Sequence, residues 1–104
     1  MKISAEFANR LSQLNSKEMI RVIVFLQTET EGEKKSPTEV QQIAEIQLNK
    51  IRPILTKYHG ELLTNRPNIL GSIGMTITVA GIYALAESSA VKMIVEDQAI
   101  FPAR

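Results

Sequence analysis

The stretch PNILGSIGMTITVAGIYALA, residues 67–86, has no charged side chain, and its reading decides the fold. Taken as one apolar run, it has the length of a membrane span, about 20 residues. Its internal order points elsewhere. Ile73, Met75, Ile77 and Val79 alternate with Gly74, Thr76 and Thr78, and strict alternation is the period of a strand. Three glycines and a threonine pair would also serve a lone helix in lipid poorly. The run is therefore read as a buried strand over 72–79 followed by a short buried helix over 81–87.

Moving outward, residues 61–65 start another strand, 66–71 form a turn or a ragged continuation of it, and 91–97 form a last strand with Val91, Met93 and Val95 on one face. Upstream stands the clearest local signal. Ser36-Pro37-Thr38-Glu39 is a capping box with proline at the first helical position, a combination that satisfies orphan N–H groups at a helix start. Val40, Ile43, Ala44, Gln47, Ile51, Ile54 and Tyr58 follow at helical spacing. The spacing predicts a long helix over 37–59, bent at Pro53, with Gly60 as a left-handed C-cap. MIRVIVFLQT, residues 19–28, is rich in β-branched residues and apolar on both faces, as a central strand must be. Glu29–Lys35 is a polar connector. Ser4 caps a short amphipathic helix over 4–14, whose stripe is Ile3, Phe7, Leu11 and Leu14.

Without that first helix, the order is β-α-β-β-α-β. The expectation is an α+β, ferredoxin-like antiparallel sheet with an extra N-terminal helix. Right-handed crossovers put both helices on one face, with the first and third strands central. The chain reads as a single domain, 1–104: helix 1–15, core 19–100 and tail 101–104. Val22, Val24, Ile77 and Val79 are expected under the helices. Ile23 and Phe25 then face the other way, beside Thr76 and Thr78, as an open surface for a partner.

Composition narrows the chemistry. Twelve basic against eleven acidic residues leave a net charge of +1, which calls for neither nucleic acid nor an anionic membrane. There is no cysteine and a single histidine, His59, so thiolate sites and multi-histidine metal sites are excluded. His59 has no accompanying nucleophile or carboxylate motif, and no phosphate-binding glycine loop is present. Three phenylalanines, two tyrosines and no tryptophan make a poor platform for stacking bases. The N-terminus has no apolar secretory core. The expectation is a cytoplasmic protein that is not an enzyme and carries no cofactor or metal.

One family resemblance is carried by short motifs. VKMIVEDQAI, residues 91–100, resembles the last strand of subtilisin-type prodomains, which share a V-x-x-V-E-x-D-x-V pattern. MIRVIVFLQ, residues 19–27, preceded by a short helix and Ser16-Lys17-Glu18, is similar to their opening strand. The resemblance spans about residues 16–104. It implies a stand-alone inhibitor or folding assistant of a subtilisin-type serine protease. In that family the open sheet face docks on two protease helices, acids at the end of the last strand cap those helices, and the C-terminal tail lies in the active-site cleft. Carried over, Glu96 and Asp97 are the capping acids, and Phe101, Pro102, Ala103 and Arg104 are the cleft-binding tail. Three features depart from the pattern: Pro102 lacks an N–H for a cleft hydrogen bond, Arg104 is unusual next to a cut, and the first helix must bury its stripe somewhere. The other reading is a non-enzymatic structural module that self-associates, as a homodimer, through the open face.

Overall fold

The computed structural model describes residues 2–29 and 34–97. In these residues the elements are α1 (Ala5–Ser12), β1 (Met19–Leu26), α2 (Pro37–Lys57), β2 (Glu61–Leu62), β3 (Ser72–Thr78), α3 (Val79–Ala86) and β4 (Val91–Glu96). The four strands form one antiparallel sheet in the order β2-β3-β1-β4, with β1 and β3 central. β1 and β2 therefore run the same way, as do β3 and β4. Each of α2 and α3 links such a pair across an intervening strand.

Local chemistry explains most boundaries. The capping box is complete: Glu39 N–H donates to Ser36 Oγ at 3.2 Å and Ser36 N–H to Glu39 Oε1 at 2.9 Å. α2 runs through Pro53 as one helix. Its end corrects the expectation for Gly60. The residue with positive φ is His59, at 61°, and Gly60 N–H closes the turn on Leu55 O at 2.7 Å. Gly60 is needed for close approach instead: a Cβ there would lie 2.8 Å from Leu55 Cδ2 and 3.1 Å from Leu55 Cα.

β2 is shorter than the sequence suggested. Leu63 N–H still bonds Gly74 O at 3.0 Å, but the chain then turns toward α2. Arg66 pairs with Glu45 at 2.6 Å, and Gln41 Nε2 donates to Pro67 O at 2.7 Å. Asn68 organises the next turn, its Oδ1 accepting from Leu70 N–H at 2.9 Å and Ser72 N–H at 3.0 Å, with Gly71 at φ 79°.

The strand-to-helix junction inside 67–86 is tighter than expected. Val79 is the first residue of α3 rather than the last of β3, because the Thr78 hydroxyl accepts from Gly81 N–H at 3.1 Å and caps the helix. The next N–H groups, of Val79 and Ala80, donate to Glu18 O and Ser16 O, each at 3.0 Å. No helix of the described residues is long and apolar enough to cross a membrane.

One buried cluster lies between the helices and one face of the sheet. It joins Val22 and Val24 of β1, Ile73, Met75 and Ile77 of β3, and Ile94 of β4 to Ala44, Leu48, Ile51, Ile82 and Leu85 of α2 and α3. Val79 is buried with them. α1 joins the same cluster through Phe7 and Leu11. Its entry is tied to the edge of β4, where Ile3 pairs in parallel with Ile94 and Ile94 N–H donates to Lys2 O at 2.9 Å.

β4 corrects a further expectation. Val91 does not share a face with Met93 and Val95. The register against β1 slips between Phe25 and Leu26, so that Leu26 opposes Val91 and Phe25 opposes Met93. The extra residue, Lys92, turns Val91 into the core beside Ile94 and leaves Met93 on the opposite face, as a bulge does.

Candidate functional site

The face of the sheet opposite the helices has no element over it among the described residues. Cross-strand partners share a face, so the register gives its composition row by row. A polar row crosses the sheet as Glu61, Thr76, Arg21 and Asp97. The next row is Leu63, Gly74, Ile23 and Val95, and the one after it is Ser72, Phe25 and Met93. Ile23 and Phe25 are half-buried, while Leu63 and Met93 are 44% and 39% exposed. Leu63 leans across Gly74, where an added Cβ would meet its Cδ1 at 3.3 Å. Two adjacent apolar rows are thus bordered by one charged row.

Of the four open-face residues expected from sequence, Ile23 and Phe25 stand where predicted. Their β3 neighbours differ: Gly74 and Ser72 oppose them, while Thr76 opposes Arg21 and Thr78 opposes Met19. Thr76 remains partly exposed on this face. Thr78 is buried and spends its hydroxyl on capping α3, so its side chain is not part of the exposed face. The physical reason is that a strand running directly into a helix needs its last residue as N-cap.

The two candidate acids take opposite sides of β4, yet both line one groove at its edge together with Arg10, Ile23, Met93 and Val95. Glu96 opposes Val22 and belongs to the helix-covered face. Arg10 of α1 reaches it there, with Nε donating to Oε1 at 2.7 Å. Asp97 continues the ladder by donating its N–H to Arg21 O at 3.0 Å, and its carboxylate accepts from Arg21 Nε at 2.9 Å on the open face. Phe101, Pro102, Ala103 and Arg104 lie outside the described residues.

Several contributors were missed in the sequence. Leu63 and Val95 read there as parts of strands with no assigned role. Their place in the apolar row follows from register alone. Arg21, a single cation inside an apolar strand, carries no motif in the sequence, although its alternation with Val22 puts it on the face of Ile23. His59 is exposed at the end of α2, and the described residues contain no group of three or more potential metal-ligating His, Cys, Asp or Glu side chains.

No protein-family model matches the chain, and a search of the curated proteins finds no match.

Proposed function

We propose that this chain is a protein-interaction module of ferredoxin-like fold that docks through its open sheet face on a subtilisin-type serine protease, acting as inhibitor or folding assistant. The observation that carries the reading is the half-buried pair Ile23 and Phe25, over which no element lies among the described residues. α1, the element that could have hidden them, buries Phe7 and Leu11 in the core on the other side. The strand order β2-β3-β1-β4, with helices crossing between non-adjacent strands, supports the ferredoxin-like fold. The likeness of residues 19–27 and 91–100 to subtilisin-type prodomains supports the partner class.

The test is a titration of several subtilisin-type proteases with the purified protein and with a variant lacking residues 101–104. In this reading the full chain inhibits at least one of them. The truncated chain inhibits at least tenfold less well, since burying one phenylalanine is worth about 1.5–3 kcal/mol. Equal inhibition by both removes the tail from the reading, and no inhibition by either removes the protease.

A second occupant of the same face is another copy of this chain. The apolar rows, widened by the exposed Leu63 and Met93, also suit a second copy, so a homodimer is the reading that remains if proteases fail. Sedimentation equilibrium of the chain alone distinguishes the two.

A further inference from the structure

Asn68-Ile69-Leu70-Gly71, the turn that leads into β3, presents two aliphatic side chains next to each other, with Ile69 56% and Leu70 71% exposed. We infer that this pair is a second anchor for the protein docked on the open face. It seats in an apolar pocket of that partner, beyond the end of the sheet. The inference rests on the docking reading above and adds a contact which that reading does not contain.

The turn does not need these two residues for its own shape. Asparagine at the first place and glycine at the fourth are what such a turn favours, and both are used. Gly71 has φ 79° and donates its N–H to Asn68 O at 3.0 Å. Asn68 donates its N–H to Ser72 O and its Nδ2 to Ser72 Oγ, each at 2.9 Å, while its Oδ1 accepts from Leu70 and Ser72 N–H. Positions 69 and 70 would take polar side chains equally well. The base of the turn is tied down too. Gln41 holds Pro67 O, and Gly71 packs so near Thr28 and Val40 that an added Cβ would lie 3.2 Å and 3.4 Å from them. The pair thus stands on a fixed support, which reduces the entropy lost on binding.

Position in the fold points to the occupant. Met19, Leu63 and Met93 are exposed on the open face, by strand parity or by sharing a row with Ile23 or Phe25. Ile69 and Leu70 extend this surface at one end, because Asn68 clasps Ser72 and Ser72 is the cross-strand neighbour of Phe25. Among the described residues, the other exposed large apolar side chains are Ile46 on α2 and Tyr83 on α3. A body that covers Phe25 and reaches past the edge of β3 therefore meets the turn. Exposed apolar surface gathered in this way marks a protein contact, and loops held by a rigid scaffold commonly carry one. The chemistry of the pocket follows from the turn itself. Residues 67–72 carry no charge, and Arg66 at their foot is paired with Glu45 at 2.6 Å. An anionic lipid surface finds no free cation there to hold, whereas an apolar pocket matches two aliphatic side chains.

The experiment measures inhibition constants against several subtilisin-type proteases, and melting temperatures, for the full chain and for Ile69→Gln/Leu70→Gln, Leu70→Met, Phe25→Glu and Ile46→Gln. The double variant should inhibit about tenfold or more weakly and melt within about 2 °C of the unaltered chain. Leu70→Met keeps the apolar bulk and should inhibit within about twofold of it. Ile46 is 58% exposed, as much as Ile69, but lies on the helix side, so Ile46→Gln should inhibit like the unaltered chain. Full inhibition by the double variant, with Phe25→Glu weakened, overturns the anchor and leaves the docking reading standing. A loss in Ile46→Gln as large as in the double variant also overturns the anchor. A weakened double variant with Phe25→Glu unaffected moves the contact off the open face and overturns the docking reading, and the second anchor with it. If the unaltered chain inhibits no protease, both fall. A self-association weakened by the double variant would then assign the pair to a second copy, and binding to phosphatidylserine vesicles lost in the double variant would assign it to a membrane.

Discussion

Gly81 has the least room for a side chain of the glycines at positions 60, 71, 74 and 81. A Cβ added there would lie 2.5 Å from Ile77 Cγ1 and 2.7 Å from Tyr58 Cβ, where β3, α3 and the end of α2 meet. Ile77 is fully buried and the Tyr58 Cβ is fixed to its backbone, so Gly81→Ala should destabilise by about 1–3 kcal/mol, as overpacking does, read as a lower melting temperature. Gly74→Ala serves as the control. Its nearest neighbour is the exposed, flexible Leu63 side chain, which can move away. His59 presents the opposite case. With φ at 61° it holds a conformation that costs a non-glycine residue roughly 1–2 kcal/mol. Glycine there would forfeit about 0.4–1 kcal/mol through its freer unfolded chain. His59→Gly should therefore gain about 0.5–1 kcal/mol, visible as a higher urea midpoint with an unchanged slope. The sequence pointed to the wrong residue of the pair. Glycine is the usual left-handed cap, but here Leu55 packs so closely that position 60 requires glycine for space alone.

At the scale of elements, the start of α2 makes a pH-dependent contribution. The Ser36 backbone N–H, and then its hydroxyl, hold the Glu39 carboxyl below its ordinary range. A carboxyl whose folded pKa is depressed adds stability above its unfolded pKa and loses it as pH falls through the folded value. The melting-temperature gap between the unaltered chain and Glu39→Gln should thus be widest at neutral pH and close on acidification through and below the carboxylate range. Removing the other half of the box, Ser36→Ala, should cost about 1 kcal/mol at neutral pH. This helix start was fully legible, since a capping box consists of residues close in sequence. β2 and β4 were legible only in part. β2 stops where α2 draws Arg66 and Pro67 away, and β4 turns at a bulge set by its pairing with β1. Both causes lie in distant segments.

At the scale of the whole molecule, the fold divides its apolar side chains between a closed core and one open face. Phe25 is half-buried at the centre of that face, and its neighbours are Ser72 and Met93. A glutamate there keeps access to water, so Phe25→Glu should melt within a few degrees of the unaltered chain. It should weaken binding of a subtilisin-type protease, or self-association if the second copy is the occupant, by tenfold or more. Loss of the fold instead would show that Phe25 belongs to the core.

The sequence alone determined the succession of elements, because each is encoded by neighbours: alternation for β1 and β3, helical spacing and caps for α1 and α2. It also placed Val22, Val24 and Ile77 inside and Ile23 and Phe25 on the other face, since strand parity is a local property. Only the tertiary structure decided where α1 lies. Its stripe of Ile3, Phe7 and Leu11 could have covered either face of the sheet, and the outcome rests on the pairing of Ile3 with Ile94 and the reach of Arg10 to Glu96. Register decided the rest. It set Glu96 and Asp97 on opposite sides of β4, withdrew Thr78 into a helix cap and brought Leu63 and Val95 into one row with Ile23. Such choices depend on hydrogen bonds between residues far apart in the chain, which no local pattern specifies.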